Sequence, residues 1–335
     1  MLLPLAMGLT GCSTLGYYAQ SIGGHLSLLS KREPIDELVR DPQVSPGLKA
    51  RLEFVEAVRE FASDRLGLPD NDSYRSYVDI GRAYVVWAVV AAPEFSLEPR
   101  TWCFPVAGCV SYRGYFSEQV ARQYADGLRE AGYEVHVGGV AAYSTLGWFD
   151  DPLPSSVVQW PDDRLAGLVF HELAHQQAYV KDDSSFNEAF AVTVEREGVR
   201  RWLESRRAKA ALAAYRRSER LEDEFLALVL STRSELQRLY DSTLPEEEKR
   251  RRKADIFGRM RAGYEPLKAR WGGDSRYDMW FAGELNNARL AAVVTYHDLV
   301  PGFQALLAEQ GGDLGAFYKA VEHLSKLEPE LRREE

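Results

Sequence analysis

His171-Glu172-Leu173-Ala174-His175 places two imidazoles and one carboxylate within five residues. On a helix, at ~100° per residue, His171 and His175 lie one turn apart and ~40° from each other, so both rings can reach one metal ion. Glu172 lies ~100° from His171 and ~60° from His175, beside such an ion without being forced to bind it. That position suits a general base acting on water, and the residue set is one that holds zinc in hydrolytic sites. A chain this long shows H-E-x-x-H by chance about once in a hundred. Corroboration must come from elsewhere.

Zinc catalysis needs a third protein ligand and one open position. Asn187-Glu188-Ala189-Phe190-Ala191 opens a second helical pattern after the polar turn Lys181-Asp182-Asp183-Ser184. A turn this short folds the second helix back on the first, which lets Glu188 face the two histidines. Glu195, two turns further on, points nearly the same way and is the reserve ligand or a supporting acid. The expected set is Zn2+ on His171, His175 and Glu188, with Glu172 as the base.

Elements that could position these residues follow from patterning. Apolar residues Leu48, Leu52, Val55, Val58 and Phe61 predict a helix over about Ser45–Leu66. Strands are expected at Ala83–Val90, Phe104–Tyr112, Tyr133–Val137 and, briefly, Val140–Ser144. A helix over Ser117–Ala131 separates them, capped by Ser117 and stopped by Gly132. From Pro161 onward the pattern is helical: about Asp162–Val180, Ser185–Arg207, a hairpin within Ala208–Lys268, then shorter helices over Met279–Leu299, Gly302–Gln310 and Leu314–Leu327. Strands first and helices later predict an α+β fold. The run Glu246–Lys253 reads as a solvated helix face. His25, His136 and His323 have no ligand-spaced partner and read as surface or core.

The N-terminus carries a separate signal. Residues 1–12 form an apolar run too short to span a bilayer, and Leu9-Thr10-Gly11-Cys12 resembles a bacterial lipobox. The expectation is a leader over 1–12, a lipid on Cys12 and a single domain over 13–335. Ser13 resembles the pattern of lipoproteins sent to the outer membrane, facing the periplasm. Residues 13 to about 30 read as a post-anchor segment with a flexible point at Gly23-Gly24. Cys103 and Cys109 are then an even pair in an oxidising compartment, able to close as a disulfide or to remain buried thiols. The 335 residues are 45% hydrophobic and 27% charged, an ordinary globular balance, and the net charge of −9 argues against nucleic acid and against a basic membrane-coating surface.

H-E-L-A-H-Q followed by N-E-A-F-A resembles the zinc aminopeptidases of the gluzincin group, although the interval from His175 to Glu188 is shorter than is typical there. The lipobox, C-F-P-V-A-G-C and the segment Gly138 to Pro152 together resemble a bacterial family of aminopeptidase lipoproteins, over most of the chain. The resemblance implies an α+β zincin-like domain, with a small mixed sheet and the zinc helices in about 83–205 and a helical part in about 206–335. It implies zinc-dependent peptide-bond hydrolysis on a peptide or protein substrate, with aminopeptidase as the family's label. It further implies an edge strand along which substrate pairs, expected at Gly138–Thr145. A donor for the developing oxyanion is expected from the helical half: Tyr296, with His297 in reserve. Recognition of a free amine calls for acidic residues, which the sequence does not identify; Asp150 and Asp151 are the candidates. The rival readings are an endopeptidase of envelope proteins and a lipid-anchored, non-catalytic assembly factor with a zinc site. Intact Glu172 speaks for an enzyme.

Overall fold

The computed structural model describes residues 10–104, 108–142, 145 and 148–334. In chain order its first half contains α1 (Thr10–Leu29), β1 (Glu33–Pro34), α2 (Ile35–Arg40), α3 (Pro46–Leu66), β2 (Ser76–Val78), β3 (Val86–Pro93), β4 (Trp102–Phe104), β5 (Gly108–Val110), β6 (Arg113–Tyr115), α4 (Glu118–Glu130), β7 (Tyr133–Val140) and β8 (Leu153–Pro154). The rest is helical: α5 (Asp162–Gln177), α6 (Ser184–Ser205), α7 (Lys209–Tyr240), α8 (Glu246–Arg270), α9 (Asp278–Ala282), α10 (Asn287–His297), α11 (Val300–Glu309), α12 (Leu314–Leu324) and α13 (Pro329–Glu334). The fold is α+β with helix predominating.

Ser45 accepts a hydrogen bond from the Leu48 backbone N–H and Pro46 occupies the first helical position, so α3 starts where its capping chemistry dictates. Leu52, Val55, Val58, Ala62 and Leu66 fall on its buried face. That face joins the inner sides of α5 and α6, and Phe303 of α11 and Phe317 of α12 complete the main core. Helices α7 and α8 form the expected hairpin around a second core, broken at the Leu244-Pro245 turn.

Three small sheets carry the strands. In the first, β2 pairs antiparallel with β1 and parallel with β8; this is the mixed sheet. In the second, β3 lies between β6 and β7, antiparallel to both, with Val86 opposite Val140 and Pro93 opposite Tyr133. Helix α4 covers this sheet through Ala121, Ala125 and Leu128. Strands β4 and β5 form a hairpin, with Cys103 directly opposite Cys109 and bonded to it.

Four expectations need correction. The run Phe104–Tyr112 is not one strand: β4 ends at Phe104, the disulfide-bonded hairpin returns as β5 over Gly108–Val110, and the chain joins β3 only at β6. No separate strand begins at Val140: β7 runs unbroken through it, and Tyr143 and Ser144 lie outside the described residues. Gly23-Gly24 is not a flexible point but the interior of α1; a side chain at Gly24 would sit 2.3 Å from the Phe116 ring, so glycine there serves close packing. Finally, the charged run at 246–253 is only partly a solvated face. Lys253 is buried, donates to the Glu94 carbonyl at 2.6 Å and pairs with Glu134. Of the expected leader, residues 1–9 lie outside the described residues, and Thr10–Cys12 open α1.

Candidate metal centre

Helices α5 and α6 are held as a pair by the turn between them. Asp183 caps α6 by accepting from the Phe186 N–H at 3.1 Å. Asn187, the residue before Glu188, bonds Val180 in both directions at 2.7 Å, donating to its carbonyl and accepting from its N–H. The disulfide hairpin leans on the same turn, with the Cys109 N–H donating to Asp182 Oδ1 at 2.5 Å. These bonds fix the start of α6, and so Glu188, relative to the end of α5.

One face of α5 is core: Leu165, Val169, Phe170 and Leu173 are fully buried. The other presents His171, Glu172 and His175 to a cleft of about 1180 Å3. Three side-chain atoms meet there. His171 Nε2 lies 3.2 Å from His175 Nε2 and 3.3 Å from Glu188 Oε2, and His175 Nε2 lies 3.5 Å from that oxygen. Atoms ~2.0–2.1 Å from a tetrahedral zinc ion stand roughly 3.3–3.4 Å apart, so the observed triangle has the edges of one face of such a tetrahedron. Two ring nitrogens facing each other beside a carboxylate require a cation or protons between them. The donor set fits zinc.

Glu195 lies 3.0 Å from the other nitrogen of His171, through Oε2. A carboxylate can only accept, so Nδ1 keeps a hydrogen, and Nε2 is the nitrogen that could turn a lone pair toward the triangle once its own proton is lost. Gly167 makes room for this, since a Cβ there would stand 3.0 Å from Glu195 Oε1. Glu195 therefore stands against the ring nitrogen that faces away from the triangle. His175 Nδ1 is buried without a hydrogen-bond partner among the described residues.

Electrostatics follow from burial and crowding. Burial presses the Glu188 carboxyl upward, but His175 and His171 outweigh it and hold its pKa at about 2. Burial disfavours the charged form of His171, yet Glu188 and Glu195 hold its pKa well above the usual histidine range. Glu172 is 8% exposed, and burial raises its pKa against the pull of the two histidines. Glu172 is thus a buried carboxyl that takes up a proton more readily than usual.

Tyr296 lies in the cleft near the end of α10, and the Glu188 charge, followed by burial, keeps its hydroxyl protonated far above the usual range. Asn287 fixes the start of that helix: its N–H donates to Glu134 at 2.7 Å, its amide to the Pro93 and Glu94 carbonyls, and it accepts from Tyr240. His297 also lines the cleft, and burial lowers its pKa. Strand β7 is an edge of its sheet, and Gly139, Val140, Ala141, Ala142 and Thr145 continue along the cleft wall.

A family model described as "Putative aminopeptidase" matches residues 16–335. The chain belongs to that family. No curated protein and no solved structure matches it. Membership supports a peptidase-like activity, and peptides as its substrates.

In this member of the aminopeptidase family, two cleft tyrosines escaped the sequence reading. The hydroxyls of Tyr112 and Tyr179 are both shifted upward, by burial first and by Glu188 next. Tyr112 follows the disulfide hairpin and Tyr179 follows the H-E-x-x-H helix. Proximity to Cys109 and to His175 was the one signal available. Asp150 and Asp151, the candidates for the free amine, do not line this cleft. Asp151 is buried and accepts from the Thr145 N–H at 2.7 Å, while the Asp150 carbonyl accepts from Arg32.

Proposed function

We propose that the chain is a zinc-dependent peptidase whose ion is held by His171, His175 and Glu188. The observation that carries this is the near-equilateral triangle of ligand atoms, 3.2, 3.3 and 3.5 Å on its edges. The ion supplies Lewis acidity, polarising a peptide carbonyl and making water nucleophilic at neutral pH. Glu172 takes the proton from the attacking water and passes it to the leaving amine. Burial raises its affinity for that proton, the adjustment a base working near neutrality needs. Glu195 keeps the His171 ring in one tautomer and orientation. Tyr296, protonated throughout the working range, donates to the oxygen that gains charge. The free edge of β7 offers backbone groups to an extended substrate.

Aminopeptidase is the specificity the family's description favours. The position of Asp150 and Asp151 outside the cleft favours the second reading, an endopeptidase of envelope proteins. The lipobox and the Cys103–Cys109 bond support a lipid-anchored protein in an oxidising envelope compartment, Cys12 bearing the lipid and the domain facing the periplasm at the outer membrane.

Metal analysis combined with hydrolysis of free and amino-blocked peptides tests the reading. Wild type is expected to hold about one zinc and to hydrolyse peptides. Glu172→Gln should keep the zinc and lose roughly 10²–10⁴-fold in kcat. Zinc bound with no Glu172-dependent cleavage would leave only the assembly-factor reading. Rapid cleavage of blocked peptides would replace the aminopeptidase by the endopeptidase.

A further inference from the structure

The first thirty residues contain no Asp, Glu, Lys or Arg, and the first basic pair, Lys31-Arg32, stands just beyond α1. The inner face of α1 packs on the body of the protein. Tyr17 packs on Phe104 and Tyr115, with the Arg113 guanidinium 3.9 Å from its ring centre. Gln20 accepts from the Phe116 N–H at 3.0 Å. The outer face is apolar and uncovered: Ile22 and Leu26, one turn apart, are 58% and 57% exposed, and Ala19 and Gly23 lie exposed on the same side.

A second apolar feature adjoins it. The Phe149 ring lies 4.8 Å from that of His25 in α1, and Arg32 donates to the Asp150 carbonyl at 3.0 Å. These contacts hold the Trp148–Phe149 tip against the helix. Trp148 is 69% exposed and Phe149 51%. An uncharged helix face, a protruding tryptophan and a terminal basic pair are the makeup of a segment that lies in a membrane interface.

We propose that the Ile22–Leu26 stripe and the Trp148–Phe149 tip seat the protein on a phospholipid bilayer. A bilayer fits better than a second copy of the chain, because the exposed Trp148 is of the residue type that belongs at a bilayer interface and the lipid proposed on Cys12 would hold the start of α1 at one. With a net charge of −9, the protein is not drawn to an anionic surface as a whole. The contact is apolar insertion and is insensitive to salt. Tyr17, Ser21, His25 and Phe149 also line the cleft, which therefore opens beside the membrane. This last step rests on the peptidase reading, and it makes the substrate a polypeptide held at the bilayer.

The full chain is mixed with phosphatidylethanolamine–phosphatidylglycerol vesicles whose acyl chains carry bromine, which quenches tryptophan inside the bilayer. Quenching is expected, unchanged at high salt, and lost in Trp148→Phe and in the double variant Ile22→Glu, Leu26→Glu. Absence of quenching in wild type, its persistence in Trp148→Phe, or its loss in high salt would overturn the proposal. So would sedimentation showing a dimer that the double variant dissolves. Trp148→Phe changes an exposed ring and decides the matter even if the double variant fails to fold. Hydrolysis of a vesicle-tethered peptide is then compared with that of the same peptide free. Faster cleavage of the tethered peptide is expected, and equal rates overturn the access step. No cleavage of either, with quenching intact, supports the membrane contact and counts against the peptidase reading alone.

Discussion

Glu195 Oε2 stands 3.0 Å from His171 Nδ1, on the far side of the ring from the triangle formed with His175 and Glu188. The two residues are 24 apart in sequence and belong to different helices, so this bond ties α6 to the orientation of a ring on α5. Glu195→Gln is expected to weaken zinc binding and activity by about 10–100-fold, whereas Glu188→Ala should remove nearly all bound zinc. Competition with a chelator measures both. Equal zinc affinity in wild type and Glu195→Gln would show that the bond does not tune the ligand.

Zinc uptake should release protons. Glu188 and Glu195 hold the His171 pKa well above the usual range, so the ring carries a proton near neutrality that an incoming ion must displace. Affinity for zinc therefore rises with pH until the ring is neutral. Titration calorimetry in two buffers of different ionisation enthalpy should give different apparent heats. A buffer-independent heat would contradict the predicted release.

Arg59 is fully buried in α3 and donates to the carbonyls of Pro69, Asn71 and Ser73 and to Ser63. The loop it gathers reaches α5, where the Asn71 amide donates to Gln176 and Gln176 donates to Ser73. Arg59→Ala strands the buried Ser73 carbonyl and two half-buried ones, of Pro69 and Asn71, and should cost about 3 kcal/mol. Denaturant unfolding measures the loss. A cost under about 1 kcal/mol would mean that water replaces the guanidinium.

His136 provides a pH dependence away from the metal centre. Burial, with Arg289 adding to it, lowers the pKa of this ring to about 4, against ~6.5 when unfolded. Between these values the unfolded chain binds a proton that the folded one does not, so stability falls as the pH drops from ~6.5 to ~4. The loss is at most about 3 kcal/mol. With chelator present throughout, His136→Gln should flatten this part of the stability curve, and parallel curves would contradict the assignment.

Helices α5 and α6 were legible because spacing and turn chemistry agreed: His171 and His175 one turn apart, then a polar turn too short to do anything but fold α6 back. The place of Glu195 two turns after Glu188 left two roles open, and its 3.0 Å contact with His171 Nδ1 depends on packing between helices that spacing alone does not show. Tyr112 was invisible because strand pairing across distant segments, not local pattern, carries it to the cleft. Lys253 looked solvated within its charged run because its partner Glu134 lies 119 residues earlier. Gly23-Gly24 misled for a different reason. Composition records the absence of a side chain, not the Phe116 ring that takes its place.

The Cys109 bond to Asp182 has a practical bearing on how the protein is prepared. In a cytoplasm that keeps thiols reduced, the β4–β5 hairpin loses its covalent closure and bears less firmly on the loop before α6. Material made there would have the correct residues yet load zinc incompletely. Low specific activity in such a preparation would reflect its manufacture rather than the catalytic capacity of the chain.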